Sequence, residues 1–125
     1  MSITMTAPYR QALYGTALGG SGASPQSEEL EAEIAYFRTV DELMAVEDSA
    51  FIGRIAFVDG DAIVPSQTGA GYGSANQRRR IGWQHAQRAG AEALVVRSVG
   101  SDSHRFPHTG MMTPDGTEWA DMPVI

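Results

Sequence analysis

Apolar and polar residues alternate along residues 30–37, and this period of two predicts a strand with one buried face. The two sets that alternate are Leu30, Ala32, Ile34 and Tyr36 on the apolar face and Glu31 and Glu33 on the other. Because antiparallel strands commonly keep one face solvated, we expect an antiparallel neighbour for this strand. A further strand is predicted over residues 12–18, where the glycine-rich run at residues 19–25 ends it.

A strand, a helix and a second strand are predicted in succession between residues 54 and 96. Residues 54–58 and 93–96 are short apolar runs, which are typical of buried strands. The helix between them begins at a capping box of Ser74 and Gln77 and ends at Gly90. Its inner stripe is Ala75, Arg79, Gly82, Ala86 and Ala89. Such a βαβ unit is expected to be parallel. The expected sheet core beneath the helix is Ile55, Phe57, Leu94 and Val96.

The remaining pattern predicts a shorter helix and a final strand. Thr39 or Asp41 can cap a helix that runs through Val46, and residues 122–125 begin a strand after a long loop region. The fold class is therefore α+β: a mixed β-sheet or small sandwich with one main helix in the βαβ unit and a second short helix. Because the chain ends within an apolar, strand-like run, we expect residues 1–125 to be a single domain of a longer protein.

The composition of the 125 residues excludes several chemistries. The chain has no Cys, and its nine basic residues are all Arg. Without Cys there is no thiol nucleophile, disulfide or iron–sulfur cluster, and without Lys there is no Schiff base or P-loop lysine. A net charge of −6 argues against nucleic-acid binding. No apolar run is long enough to cross a membrane, and the first residues lack the pattern of a signal peptide.

Residues 97–110 hold the most candidate chemistry, because they follow a predicted buried strand and contain two of the three histidines. His104 and His108 have the spacing of zinc ligands on a helix, but Pro107 lies between them and disfavours that helix. A Ser–His–Asp hydrolase would need a nucleophile context that this sequence lacks. Arg97 can bind a ligand carboxylate or pair with Asp102. The residues alone leave a structural loop and a ligand-facing loop open.

Two other motifs favour structural interpretations. Residues 69–73 are Gly-Ala-Gly-Tyr-Gly, but a dinucleotide-binding loop follows its strand directly, so we interpret this run as a loop that leads into a helix. Residues 78–80 are three successive arginines, which point in three directions on a helix. We expect them to form a salt-bridging helix surface, with only Arg79 on the inner stripe.

Several stretches of the chain carry a family resemblance. They are residues 16–21, 53–58, 86–91, 94–99 and 107–110, closing on residues 122–125. The specific part is Arg-Ser-Val at residues 97–99 with Pro-His-Thr-Gly at residues 107–110. In these stretches the chain resembles a protease-associated (PA) domain. More narrowly, it is similar to the PA insert of secreted zinc exopeptidases of the plasma glutamate carboxypeptidase (carboxypeptidase Q) kind and their bacterial aminopeptidase relatives.

The resemblance implies a domain that works beside its enzyme. In that family two zinc ions are held by a separate peptidase domain flanking the insert, and none of its metal-ligand motifs is present here. No catalytic residue, metal ligand or cofactor is therefore assigned to this chain. The implied partners are the flanking peptidase domain and a peptide substrate, and the implied parent is exported to the periplasm or secreted. The substrate-side residues carried over by resemblance are Arg97, Ser98, His104, His108 and Thr109.

Three functions follow as hypotheses. The leading one is a non-catalytic PA domain that covers the active-site cleft of a zinc aminopeptidase or carboxypeptidase and contributes to substrate access or recognition. The second is a stand-alone module that binds peptides or proteins. The third, from another class, is a small hydrolase that uses His104 and His108.

Overall fold

A computed structural model of the chain describes residues 2–22, 29–101, 106–113 and 119–125. The strands and helices in these ranges are β1 (Ile3–Met5), β2 (Gln11–Leu13), β3 (Ile34–Phe37), α1 (Val40–Met44), β4 (Ile55–Val58), α2 (Tyr72–Ala75), α3 (Gln77–Arg80), α4 (Gly82–Arg88) and β5 (Ala93–Val96). This mixture of short strands and helices confirms the α+β class. None of the helices in the described ranges has the length and apolar character needed to cross a bilayer.

The central sheet has the order β3-β4-β5, and all three strands are parallel. The predicted βαβ unit is confirmed, since β4 and β5 flank the helices and pair in parallel. The predicted final strand is reduced to one isolated parallel bridge, between Val124 and Leu94 of β5. The Leu94 amide donates to the Pro123 carbonyl at 2.9 Å, and the Ile125 amide donates to the Leu94 carbonyl at 2.9 Å.

The predictions for β3 were wrong in direction and in face. The strand covers only residues 34–37, and its neighbour β4 is parallel rather than antiparallel. Ala35 and Phe37 pack against the core, whereas Ile34 and Tyr36 are 54% and 57% exposed. The register explains this reversal, because Ala35 lies opposite buried Ala56 and Phe37 lies opposite buried Val58.

The same alternation of side chains shows that the predicted core of β4 was wrong. Ala56 and Val58 are fully buried beneath the helices, whereas Ile55 and Phe57 are only half-buried and belong to the opposite face of the sheet. On β5, Leu94 is fully buried and half-buried Val96 packs against the same core. Ala56 lies opposite Leu94 and Val58 lies opposite Val96, so these four residues form the inner face.

The long helix predicted over residues 75–89 is divided into α2, α3 and α4. The chain turns at Asn76 and Ile81, and none of the three helices begins with a side-chain cap, so the capping box of Ser74 and Gln77 was wrong. The inner stripe is retained in that Arg79, Gly82, Ala86 and Ala89 are all buried. Gly90 ends α4 with a φ of +89°, as predicted for a glycine stop.

The two ends of the chain contribute a hairpin and a backbone hydrogen bond between Leu18 and Val124. β1 and β2 form an antiparallel hairpin, so the strand predicted over residues 12–18 is confirmed only at its beginning. Farther along, the buried Leu18 donates its amide to the Val124 carbonyl at 3.0 Å. The short helix begins as predicted, because the Thr39 hydroxyl accepts a hydrogen bond from the Glu42 amide, but α1 ends at Met44 rather than at Val46.

Replacing Ala86 with Leu is expected to overpack the contact between α4 and the sheet, because Ala86 has no exposed surface. We expect a loss of about 1–3 kcal/mol in the free energy of unfolding, measured by urea denaturation. Ala45→Leu makes the same change at an exposed helix end and should stay within about 0.5 kcal/mol of the unmodified chain. Equal stabilities for the two variants would contradict this placement of α4.

Candidate ligand groove at the carboxyl ends of the parallel strands

Polar side chains from three neighbouring strands meet where the parallel sheet ends. Asp59 directly follows β4 and Arg97 directly follows β5, while Tyr36 lies near the end of β3. The Tyr36 hydroxyl donates to Asp59 Oδ2 at 3.0 Å, and Arg97 Nη1 donates to Asp59 Oδ1 at 3.1 Å. The carboxyl ends of parallel strands are where α/β folds commonly bind ligands, so this row lies at a plausible binding edge.

The Asp59 carboxylate accepts a hydrogen bond from each of the other two residues of this row. Its side chain is 31% exposed and that of Arg97 is 36% exposed, so water screens the ion pair and its contribution to stability is about 1 kcal/mol at most. The hydrogen bond and negative charge of Asp59 raise the pKa of Tyr36 above its ordinary value. The phenol therefore remains protonated at neutral pH and acts as the donor. The sequence-based alternative for Arg97 placed Asp102 as its partner, but Asp102 lies outside the described residues.

Two arginines of α3 are buried beneath this edge, each with only 3% of its surface exposed. Arg78 donates through Nη1 to the carbonyls of Asp59 at 3.1 Å and Asp61 at 3.4 Å, and through Nη2 to the carbonyl of Ser98 at 3.2 Å. One guanidinium thus joins the loops that follow β4 and β5. Its burial, and then the positive charge of Arg97, lower the pKa of Arg78 below its ordinary value.

Arg79 contacts the loop that contains His108. Its Nη2 donates to the His108 carbonyl at 3.3 Å, whereas its Nε is buried without a hydrogen-bond partner. The expectation of a salt-bridging surface was therefore wrong for Arg78 and Arg79, and only Arg80 is exposed. Glycine makes both approaches possible, because a Cβ at Gly60 would overlap Arg78 and a Cβ at Gly110 would overlap Arg79.

His108 is held with a defined ring orientation. Its Nδ1 lies within hydrogen-bond distance of the Val99 carbonyl, which can only accept, so Nδ1 carries the proton. In the neutral ring Nε2 is then an acceptor. The Tyr72 ring packs at a tilt against His108, with 6.0 Å between the ring centroids. Ser98 Oγ donates to the Phe106 carbonyl at 2.9 Å and so joins the two loop segments again.

Five of these residues line an open groove of about 390 Å³ on the sheet face opposite the helices: Asp59, Arg79, Arg97, Ser98 and His108. Its walls come from Phe57 and Val95 on the sheet, from residues 11–16 of the hairpin region, and from the loop residues 97–99 and 106–108. The groove therefore combines apolar walls with a few polar groups, as small-ligand and peptide sites commonly do.

The structure brings three of the five predicted substrate-side residues into this groove: Arg97, Ser98 and His108. Thr109 is exposed and is not part of the lining, and His104 lies outside the described residues. Sequence reasoning missed Asp59 and Arg79. The position of Asp59, directly after the apolar run of β4, was a signal that could have identified it. The place of Arg79 on the inner stripe indicated its burial, but no local signal indicated that it reaches the groove.

Within the described ranges, no group of three or more His, Cys, Asp or Glu side chains is arranged to hold a metal ion. The glycine-rich residues 69–73 lead into the four-residue helix α2, where Gly71 has a φ of +96°. This agrees with a loop rather than a phosphate-binding turn.

Replacing Arg78 with Met is expected to lower the free energy of unfolding by at least about 2 kcal/mol, because three backbone carbonyls lose a charged donor. Arg80→Met removes the same charge from the exposed side of the same helix and should change it by about 0.5 kcal/mol or less. Denaturant unfolding of both variants provides the measurement. A loss of stability that is equal in the two would show that charge, and not the bridging of the loops, is responsible.

Comparison with known proteins gives a strong match to one solved structure. No protein-family model matches the chain, and no curated protein matches it. The crystal structure of a Peptidase M28 precursor from Shewanella amazonensis SB2B has a TM-score of 0.86 and 35% sequence identity to this chain. The match covers 98% of this chain and 27% of that protein. Nearly the whole chain is therefore similar to a part of a Peptidase M28 protein.

Proposed function

We propose that this chain is a PA domain of a zinc-dependent exopeptidase, in which it is non-catalytic, covers one side of the active-site cleft and contributes to substrate access or recognition. The observation that carries the proposal is the 35% identity to a Peptidase M28 precursor over 98% of this chain. Since the match spans only 27% of that precursor, most of the neighbour lies outside the matched part. A peptidase domain flanking this one is the partner that the proposal requires.

The groove supports a binding role rather than a chemical one. Arg97 ends a rigid strand, and its ion pair with Asp59 holds the guanidinium at the groove wall. Buried Arg79 adds a second positive charge to the same lining. The charged side chains of the lining are two guanidinium groups and one carboxylate, that of Asp59, so the groove has a net positive charge that suits a peptide carboxylate. His108 Nε2 provides an acceptor for a peptide N–H or, when protonated, a donor.

The zinc ions belong to the flanking peptidase domain in this proposal. No step of the reaction is assigned to residues of this chain in the proposal. The contribution of this domain is to bind and orient the peptide and to exclude water from one side of the cleft. Export of the parent protein to the periplasm or the cell exterior is part of the same proposal.

The hydrolase alternative receives less support from the geometry. His108 Nδ1 bonds to the Val99 backbone carbonyl instead of a carboxylate, and Ser98 Oγ donates to the Phe106 carbonyl. A catalytic triad would instead require the serine hydroxyl to donate to a histidine and the histidine Nδ1 to donate to a carboxylate. An assay of this chain alone with aminoacyl and dipeptide substrates plus zinc separates the hypotheses. We expect no turnover, and hydrolysis that is lost in His108→Ala would favour the hydrolase. Peptide binding by titration, without turnover, would favour the stand-alone module.

Arg97→Ala and His108→Ala in the full-length protein are expected to raise KM and leave kcat nearly unchanged, because these groups bind ground and transition states alike. Loss of one charge-assisted contact should raise KM about ten- to a hundred-fold. Steady-state kinetics with a peptide substrate provide the measurement, and Arg80→Ala, outside the groove, is the control. A collapse of kcat at constant KM, or normal kinetics in a folded variant, would overturn this role.

A further inference from the structure

Arg79 lines the groove with a guanidinium whose donors are mostly unused. Only 3% of its surface is exposed, yet it contributes to the groove lining. Its Nη2 donates to the His108 carbonyl at 3.3 Å, its Nε is buried without a partner, and among the described residues its Nη1 has none. A guanidinium carries five N–H donors, and leaving those of a buried charged group unpaired is costly. Arg79 therefore lacks an acceptor that a ligand in the groove could supply.

The neighbouring guanidinium groups are better satisfied. Arg78 donates to three backbone carbonyls, although its Nε also lacks a partner, and it is not part of the groove lining. Arg97 pairs with the Asp59 carboxylate at 3.1 Å. For Arg79, by contrast, no carboxylate of the described residues lies within ion-pair distance. Because a buried charge without a counter-charge is strongly destabilising, the acceptor that Arg79 lacks is a negatively charged group.

The charge balance of the groove sets the charge of this missing group. Among the described residues, the lining holds the guanidinium groups of Arg79 and Arg97 and one carboxylate, that of Asp59. Behind the lining, Arg78 and the exposed Asp61 add one charge of each sign. Two positive charges minus one negative charge leave one excess positive charge, in a chain whose net charge is −6. A group with a single negative charge balances this excess, whereas a divalent phosphate or sulfate exceeds it.

Apolar side chains surround the rest of the groove. Half-buried Phe57 and Val95 line it on the sheet, and Leu13, Tyr14 and Phe106 in its walls are 43%, 76% and 77% exposed. Exposed apolar side chains that are grouped in this way commonly mark a binding site. The volume of about 390 Å³ lies within the range of about 300–1,000 Å³ that small-ligand sites occupy. We therefore expect a ligand that combines one negative charge with an apolar part.

We propose that Arg79 binds the carboxylate of a singly charged carboxylic acid in the groove, and that the apolar part of this ligand packs against Phe57 and Val95. A carboxylate fits because its two oxygens accept hydrogen bonds from a planar guanidinium. The inference deepens the proposed function and rests on it for the source of the ligand, the apolar C-terminal residue of a peptide. His108 Nε2 is an acceptor for the N–H of that residue. A free carboxylic acid has the same carboxylate and apolar part but no such N–H.

An NMR titration of the 125-residue chain with N-acetyl-L-leucine at constant ionic strength tests this site. The ligand carries one carboxylate, an apolar side chain and the N–H of a C-terminal residue. We expect saturable binding that shifts the Nε–H signal of Arg79 more than that of the exposed Arg80. N-acetyl-L-leucinamide has no charge and is expected to bind at least about tenfold more weakly. Isocaproate, which lacks the N–H, is expected to bind about two- to tenfold more weakly.

Arg79→Gln is expected to weaken the binding of N-acetyl-L-leucine at least about tenfold, measured by isothermal titration calorimetry. Arg80→Gln makes the same change at an exposed position of the same helix, outside the groove, and should stay within about twofold of the unmodified chain. If Arg79→Gln fails to fold, the comparison of the charged and the neutral ligand on the unmodified chain decides the question.

Three results would overturn the assignment to Arg79: equal affinities for N-acetyl-L-leucine and its amide, an unchanged Arg79 signal, or equal binding by the two folded variants. Isocaproate bound as tightly as N-acetyl-L-leucine would overturn the peptide as the source, in favour of a free carboxylic acid. The absence of binding to the chain alone would also overturn this inference. The proposed function is tested separately, by the kinetics of Arg97→Ala in the full-length protein.

Discussion

The buried guanidinium of Arg78 joins the two loops that follow β4 and β5, beside the candidate groove. It donates to carbonyls of Asp59 and Asp61 after β4 and of Ser98 after β5, so the ends of two parallel strands share one donor group. Buried carbonyls without donors are costly, and a guanidinium offers five N–H groups in a planar arrangement that can reach several of them. The positions of Asp59 and Arg97, and hence the shape of one end of the groove, depend on this bridge.

The two faces of the sheet have different roles, because the helices cover only one of them. Ala56, Val58 and Leu94 bury one face beneath α4, where the small residues Gly82 and Ala86 let the helix approach closely. The opposite face, with Phe57 and Val95, is left for the groove. Because side chains alternate along a strand, packing the helices on one set of residues places the other set on the groove side.

The proposed function rests on this arrangement together with the Peptidase M28 neighbour. A domain that assists a peptidase needs a surface that can hold part of a peptide, and it needs no reactive group of its own. Arg97 and His108 fit this requirement, because backbone or ion-pair contacts hold each of them in a defined orientation. Asp59 takes part by fixing Arg97, and Arg79 by adding charge beneath the lining.

The sequence by itself determined the elements whose signals are local. The β4–helix–β5 unit, the Thr39 cap of α1, the Gly90 stop and the α+β class all follow from periodicity and from the preferences of single residues. The resemblance to a family selected the loop segments that contribute Arg97, Ser98 and His108 to the groove.

Only the tertiary structure decided which faces are covered. The alternation of residues 30–37 shows which side chains lie together, but β4 and the helices determine that Ala35 and Phe37 are inside and that the neighbour is parallel. The burial of Arg78 likewise depends on carbonyls 17 to 20 residues away in the chain. Local patterns carry no information about such distant partners, because the energy of a buried charge is set by the groups that surround it after folding.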